Sequence, residues 1–221
     1  MSIPTHVLPI FPLPRVVFPT EPVPLHIFEP RYQALVADCL ACEEEGRPAE
    51  FVISFREDDN LARIGCTLRI THILRSYPDG RLDLMSAGLR RCRLGEVREG
   101  ETYDRVEVDA LADTEQDWDE VLATRAYSLH RRLLEQFSGK PPDEQEYSGQ
   151  AALSWLIAPS AGLSLPQQQA LLEITSENER LRALVRHCTE LVARVQDIQS
   201  TGQQVQAAWE LRRLTRSGAG S

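Results

Sequence analysis

The sequence predicts an α+β fold: a β-rich front half forming a compact, partly closed barrel with one short helix inserted, followed by a helical bundle. Three observations predict it. Prolines crowd residues 7–28 at Pro9, Pro12, Pro14, Pro19, Pro22 and Pro24, interleaved with Val, Leu, Ile and Phe. They exclude helix there, because each ring removes a backbone donor and blocks the preceding turn. Apolar and polar residues then alternate in short runs, the period of half-buried strands, until from Asp113 onward the period becomes helical.

The elements follow in order. Residues 7–28 read as short edge strands broken by turns. Pro30 suits a first helical position, and Tyr32, Leu35, Val36, Cys39 and Leu40 then fall on one helical face. Phe51-Val-Ile-Ser-Phe55 reads as a strand, and Leu68, Ile70 and Leu74 alternate with Thr67, Arg69, Thr71 and Arg75 in another, placing His72 on the apolar face as a core histidine. Pro78-Asp79-Gly80 supplies a turn, and residues 81–85 return as the partner strand. Gly88 and Gly95 mark bulges or bends, and Val106 and Val108 belong to a last strand. Trp118, Val121, Leu122, Leu129, Leu133 and Phe137 then read as one helical stripe, stopped by Gly139-Lys-Pro-Pro142. A second helix is expected near residues 147–157 and a third from Ser164. A fourth opens on a Ser176/Glu179 capping box, with Leu181, Leu184, Val185, Cys188, Leu191, Val192, Val195 and Ile198 inward. The expected division is residues 1–112 for the barrel, 113–212 for the bundle and 213–221 for a disordered tail containing little but Ser and Gly at its end, with Trp209 just before it.

Composition narrows the functional classes. Hydrophobic residues make up 42% and charged residues 26%, as in soluble globular proteins. Residues 1–112 hold 13 basic against 18 acidic side chains and residues 113–221 hold 11 against 15, so both halves repel phosphate and nucleic acid is disfavoured. The one candidate basic patch is Arg90, Arg91, Arg93 and Arg98. No apolar run is long enough to span a bilayer and the N-terminus lacks the pattern of a signal peptide. With five scattered cysteines, the expected location is the cytoplasm.

Residues 8–32, LPIFPLPRVVFPTEPVPLHIFEPRY, resemble the opening of the substrate-binding domain at the front of Lon proteases, and the segment Phe28, Glu29, Pro30, Arg31, Tyr32 carries the resemblance most specifically. DGRLDLMSAGLRRCRL (residues 79–94) and LLEITSENERLRALVRHCTELV (residues 171–192) are similar to later stretches of that family. Phe51-Val52 departs from it, standing where many members have Phe-Gly. The resemblance implies a PUA-like pseudo-barrel followed by helices, and unfolded or extended polypeptide as the partner.

No catalytic chemistry is expected. A nucleotide-binding phosphate loop needs G-x-x-x-x-G-K-[ST], and the only lysine, Lys140, has Leu134 five residues before Gly139. A Ser–Lys peptidase needs a buried lysine, whereas Lys140 sits between Gly139 and Pro141. Cys39-Leu-Ala-Cys42 has the spacing of half a zinc site but no second pair, and Cys39 belongs to the apolar helix stripe, so neither metal nor other cofactor is expected. In the FEPRY segment Glu29 favours the helix dipole and Phe28 and Tyr32 are expected to pack inward, a structural corner. The sequence therefore reads as a non-catalytic protein-binding module, an adaptor in protein quality control, with the proline-rich front strands as the expected binding edge. Its alternatives are an RNA-binding protein using Arg90, Arg91 and Arg93, or an assembly partner of another protease or regulator using an exposed helix face and Trp209.

Overall fold

The structure, a computed structural model, describes residues 6–114, 118–138 and 152–217, without the side chains of residues 138 and 198–217. Among the described residues the order is β1 (His6–Leu13), β2 (Pro22–Ile27), α1 (Pro30–Glu44), β3 (Phe51–Glu57), β4 (Asn60–Leu61), β5 (Ile64–Ser76), β6 (Leu82–Arg98), β7 (Arg105–Ala110), α2 (Glu120–Ser138), α3 (Leu153–Ile157), α4 (Leu165–Glu173) and α5 (Glu177–Ser217). Strands and helices are thus segregated along the chain, apart from α1.

The sheet is antiparallel but for one pairing, and that pairing closes it. Strands run β1-β7-β6-β5-β3, and β1 and β3 then pair in parallel from Ile10↔Val52 to Leu13↔Phe55. The first half of β1 pairs with β7 and the second half with β3, so Pro9 and Pro12 each sit where one side of the strand needs no ladder donor. β6 is the spine: it lies along β5 from Leu82 to Arg93, while β2 pairs with its first part and β7 with its last.

Local chemistry places the turns and bulges. Gly80 takes φ +89 in the expected turn, and its N–H donates to the Tyr77 carbonyl at 3.0 Å. The register slips beside Gly88, where a Cβ would meet the Phe18 carbonyl oxygen at 2.2 Å; the Gly88 carbonyl accepts from Thr20 and its N–H donates to Glu21, both at 2.9 Å. A second slip spans Gly95, between Leu94 and Val97. Two further slips in β5, between Ile70 and His72 and between Ile73 and Arg75, break the alternation on which the sequence reading relied. His72 is consequently exposed and not a core histidine.

Alternate residues of the same strands feed two cores, as period two requires. Ile10 and Val52 join Cys92, Leu94, Val106 and Val108. Phe11, Phe51 and Ile53 instead meet Tyr32, Leu35, Val36 and Cys39 of α1, the face expected from sequence. The third core gathers α2 to α5 around Trp155 and reaches the strands through Val16, Phe18 and Ile64. The α2 face differs from the expected stripe: Trp118, Val121 and Phe137 are exposed, while Ala123, Ala126, His130 and Leu133 are buried. Small residues let α2 approach α5 closely, and that advantage outweighs burying the larger side chains. In α4, Gln167 closes back on the Ser164 N–H at 2.9 Å; in α5, Ser176 caps the Glu179 N–H at 3.2 Å. The α5 helix continues to Ser217, so residues 213–217 of the expected tail are helical, carried by the helix-forming run at 210–214; residues 218–221, like 139–151 with Lys140 and the expected helix start, lie outside the described residues.

Helices and strands are joined by an ionic cluster whose two arginines are buried and whose bridging Asp113 reaches the surface. The Arg180 and Arg91 guanidiniums lie 4.0 and 5.3 Å from the centroid of the Trp155 ring, which also stacks on Phe18 at 5.7 Å. Asp113 accepts from both arginines. Glu177 accepts from Arg180 Nη2 at 2.7 Å and from the Ser154 N–H at 2.9 Å, and Ser154 Oγ accepts from Arg180 Nε at 2.9 Å. Arg91 donates to the Leu172 and Ile174 carbonyls at 2.8 and 2.7 Å, satisfying groups left open where α4 ends. Two arginines and two carboxylates balance, which is what makes their burial tolerable.

Two stability experiments follow. Arg180→Met leaves Glu177 without its cation and part-exposed Asp113 with Arg91 alone, and is expected to cost about 2–3 kcal/mol in urea unfolding, solvent at Asp113 holding it below the cost for a fully buried pair. Arg90→Gln and Arg93→Gln, at exposed positions, are expected to stay within about 0.5 kcal/mol. His130 is 1% exposed with Nε2 2.9 Å from Ser160 Oγ, and burial lowers its pKa from 6.5 to about 4. The unfolded chain therefore takes up a proton that the folded one refuses, and this stability, roughly 3 kcal/mol, is present above pH 6.5 and lost as pH falls toward 4. The difference in unfolding free energy between wild type and His130→Gln, followed against pH, should change across that window and be level above it.

Candidate functional site

β2 fixes the exposed end of the strand array. Its burial alternates strictly, Val23, Leu25 and Ile27 inward and Pro22, Pro24 and His26 outward. The alternation carries on into Phe28, which is 60% exposed and stacks on His26 at 6.0 Å. Only half of the expected inward corner therefore forms. Tyr32 packs inward, 3.9 Å from the Phe11 ring, while Phe28 stands in solvent.

The rest of that segment is structural. Glu29 is the N-cap of α1 in extended conformation, its carbonyl accepts from the Tyr32 and Gln33 N–H groups, and Pro30 begins the helix. The Glu29 carboxylate turns to Arg31 at 2.7 Å, and this hydrogen bond raises the arginine's pKa further; the guanidinium lies 4.6 Å from the Tyr32 centroid. Two turns of sequence thus serve to hold Phe28 at a fixed height above the sheet.

Beside Phe28 the register aligns His26, Asp83 and Arg75 across β2, β6 and β5, with Pro24, Met85 and His72 in the next row. Asp83 holds His26 Nδ1 at 2.5 Å and accepts from the Tyr77 hydroxyl at 2.7 Å, and these two hydrogen bonds, His26 first, lower its pKa. Arg75 and Arg81 lie 4.5 and 4.9 Å from the Tyr77 centroid. Beside this polar platform Ile73 and Leu74, 39% and 59% exposed, occupy the β5 bulge. Phe28 follows the platform's β2 row and Leu74 precedes its β5 row, so exposed apolar side chains flank the anchored aromatic and cationic groups along both strands, while Ile73 registers with Leu84. Large exposed apolar side chains gathered at one end of a fold are what a binding surface looks like.

The edge of β2 is less useful than its side chains. It pairs with β6 alone, leaving its other edge free, but Pro22 and Pro24 have no N–H to donate there. The expectation that this edge adds a strand from a ligand is therefore corrected toward side-chain capture.

The expected basic patch is not assembled. Arg91 is 3% exposed and spent on Asp113 and on α4 carbonyls more than 80 residues away in sequence. Arg90 is exposed and donates to Glu50 at 3.0 Å; Arg98 pairs with Glu107; Arg93 is exposed without a carboxylate partner among the described residues. Trp209 lies on α5, its side chain outside the described residues. Burial raises the thiol pKa of Cys39 and Cys92 to about 12 and of Cys188 to about 11, and that of Cys66 upward too. Among the described residues no group of three His, Cys, Asp or Glu is placed to hold a metal ion, and no helix is long and apolar enough to cross a membrane. Phe28 and Leu74 were missed because the aromatic corner at the start of α1 was read with Phe28 inward and strand alternation placed Leu74 on the apolar face.

Known proteins with this architecture point the same way. Residues 7–190 match the family model of the ATP-dependent protease La (LON) substrate-binding domain. Lon protease of Xanthomonas oryzae pv. oryzae is 30% identical over 191 residues, and Lon protease 2 of Herpetosiphon aurantiacus 27% over 192, each match covering 80% of this chain. The matched region is only 22% and 23% of those two proteins' lengths. Among solved structures, a Lon N-terminal domain protein from Xanthomonas campestris aligns at a TM-score of 0.63 with 28% identity, covering 82% of this chain and 98% of that one. The N-terminal domain of a Mycobacterium avium complex Lon protease shares the fold at a TM-score of 0.65 and 21% identity, covering 83% and 98%. With most of its length matched in both sequence and mixed helix–strand architecture, the chain belongs to the LON substrate-binding domain family.

Proposed function

We propose that this chain is a non-catalytic polypeptide-binding module that captures extended or partly unfolded segments at the end of the strand array. The observation that supports the reading is exposed Phe28 stacked on the His26–Asp83–Tyr77 platform, with exposed Leu74 next to Arg75 of the same row. Apolar side chains of a client would pack on Phe28 and Leu74, and the Arg75 guanidinium, poised on Tyr77, would steer its carboxylates or carbonyls, while Arg81 is held by Asp79. Family membership supports binding over catalysis. In this reading the closed ring is a PUA-like pseudo-barrel, α2 to α5 form a bundle, the two parts divide near residue 112, and the module acts in the cytoplasm as an adaptor in protein quality control.

Of the alternatives, RNA binding through Arg90, Arg91 and Arg93 has little support, since Arg91 is buried and Arg90 engages Glu50. Assembly with a larger partner through a helix face has the exposed Trp118, Val121 and Phe137 of the α2 region in its favour.

The test is fluorescence anisotropy with a reduced, carboxymethylated, permanently unfolded protein. The double variant Phe28→Ser/Leu74→Ser is expected to weaken binding about tenfold or more, because each side chain buries apolar area worth roughly 1–2 kcal/mol. Its unfolding midpoint should match wild type, since both side chains are exposed. Equal affinity in the variant, or no binding by the wild type, would count against the reading.

A further inference from the structure

A second surface lies on the helices. Between α2 and α5 is a hollow of about 570 Å³ lined by Leu122, Arg125, Arg182, Ala183 and Arg186, among others. Between α4 and α5 is another of about 260 Å³, lined by apolar residues including Leu163, Ala170, Leu171 and Leu184. Both hollows share Ile174, Ala183 and Arg186, so they form one groove crossing α5, with the small Ala183 side chain at the divide.

The charge of this groove is unlike that of the chain. The protein carries a formal net charge of −9, yet the groove is bordered by three exposed guanidiniums against one carboxylate, Glu179. Several exposed arginines elsewhere, Arg31, Arg47, Arg81, Arg90, Arg98 and Arg131, are engaged by a carboxylate, whereas others, Arg93 among them, stand singly on the surface and not around a hollow. Arg125, Arg182 and Arg186 have no such partner among the described residues. Arg182 and Arg186 stand four residues, one helical turn, apart on α5, with Arg125 contributed from α2. Just before Leu122 in the chain, Trp118 and Val121 are also exposed, at 59% and 81%.

We propose that this groove docks an acidic amphipathic segment of a partner protein, whose carboxylates meet Arg125, Arg182 and Arg186 while its apolar side chains fill the two hollows. Carboxylates spaced three or four residues apart on a docked helix match the one-turn spacing of the arginines, and the unpaired cations gain partners that the chain itself withholds. The surface shares no residue with the barrel end, so it goes beyond the capture of unfolded chains proposed there.

The experiment uses the full chain and a fluorescein-labelled amphipathic helix of Leu, Ala and Glu, about 14 residues or roughly 21 Å long. Alongside it go the same peptide with Gln for Glu and an oligothymidylate as a second polyanion. The Glu peptide is expected to bind with an affinity that falls as salt rises, and the Gln peptide about tenfold more weakly or worse. Arg182→Gln/Arg186→Gln should weaken the Glu peptide by a similar factor while leaving the thermal midpoint and the binding of unfolded protein unchanged. Equal binding of the Glu and Gln peptides, or unchanged affinity in the double variant, would overturn the proposal. So would displacement of the peptide by oligothymidylate at equal or lower concentration, which would make the groove a general polyanion site. Phe28→Ser/Leu74→Ser separates the two surfaces: it is expected to leave the Glu peptide's affinity unchanged, and a matching loss would merge them and overturn the assignment to the helices.

Discussion

Everything in this molecule depends on one buried contact: two guanidiniums gripping the Trp155 ring while Asp113 and Glu177 cancel their charge. Its members come from β6, the residues after β7, α3 and α5, so a single cluster of a few side chains ties the sheet to the helices. Burying charge is expensive in isolation, and the cluster tolerates it only because nearly every donor is matched, including two aimed at carbonyls where α4 runs out. That matching is geometrically demanding. It fixes how α4 and α5 sit on the strands, and with them the groove that crosses α5.

Ring closure is the second constraint. One parallel pairing between β1 and β3 converts an antiparallel sheet into a cycle, and β6, long enough to serve β2 first and β7 later, supplies the bend. Bulges at Gly88 and Gly95 let that long strand change neighbours without breaking its pairing with the rest.

What the sequence made legible was chemistry confined to a few consecutive residues. The Pro-Asp-Gly turn, the helix opening at Pro30, the α1 stripe and the two glycine bulges all declare themselves locally, and each is where it was expected. What it concealed depends on partners far along the chain. Arg91 reads like its exposed neighbours until α4 ends beside it. The buried face of α2 could not be chosen from hydrophobicity alone, because close approach to α5 favours Ala123 and Ala126 over Trp118 and Val121. His72 and Leu74 were turned outward by bulges that leave no glycine or proline as a signature. The candidate surface was not legible: the Phe28–Tyr32 motif read as a structural corner with Phe28 inward, whereas Phe28 stands in solvent.

The prolines of β2 have one more effect. A free strand edge with a full row of donors invites a second strand, and after it a third, which is how folded proteins seed ordered aggregates. Here Pro22 and Pro24 remove donors from that row, so the β2 edge is a poor template for a second copy of this chain. Exposed Phe28 and Leu74 therefore stand near a strand edge that does not recruit a second strand.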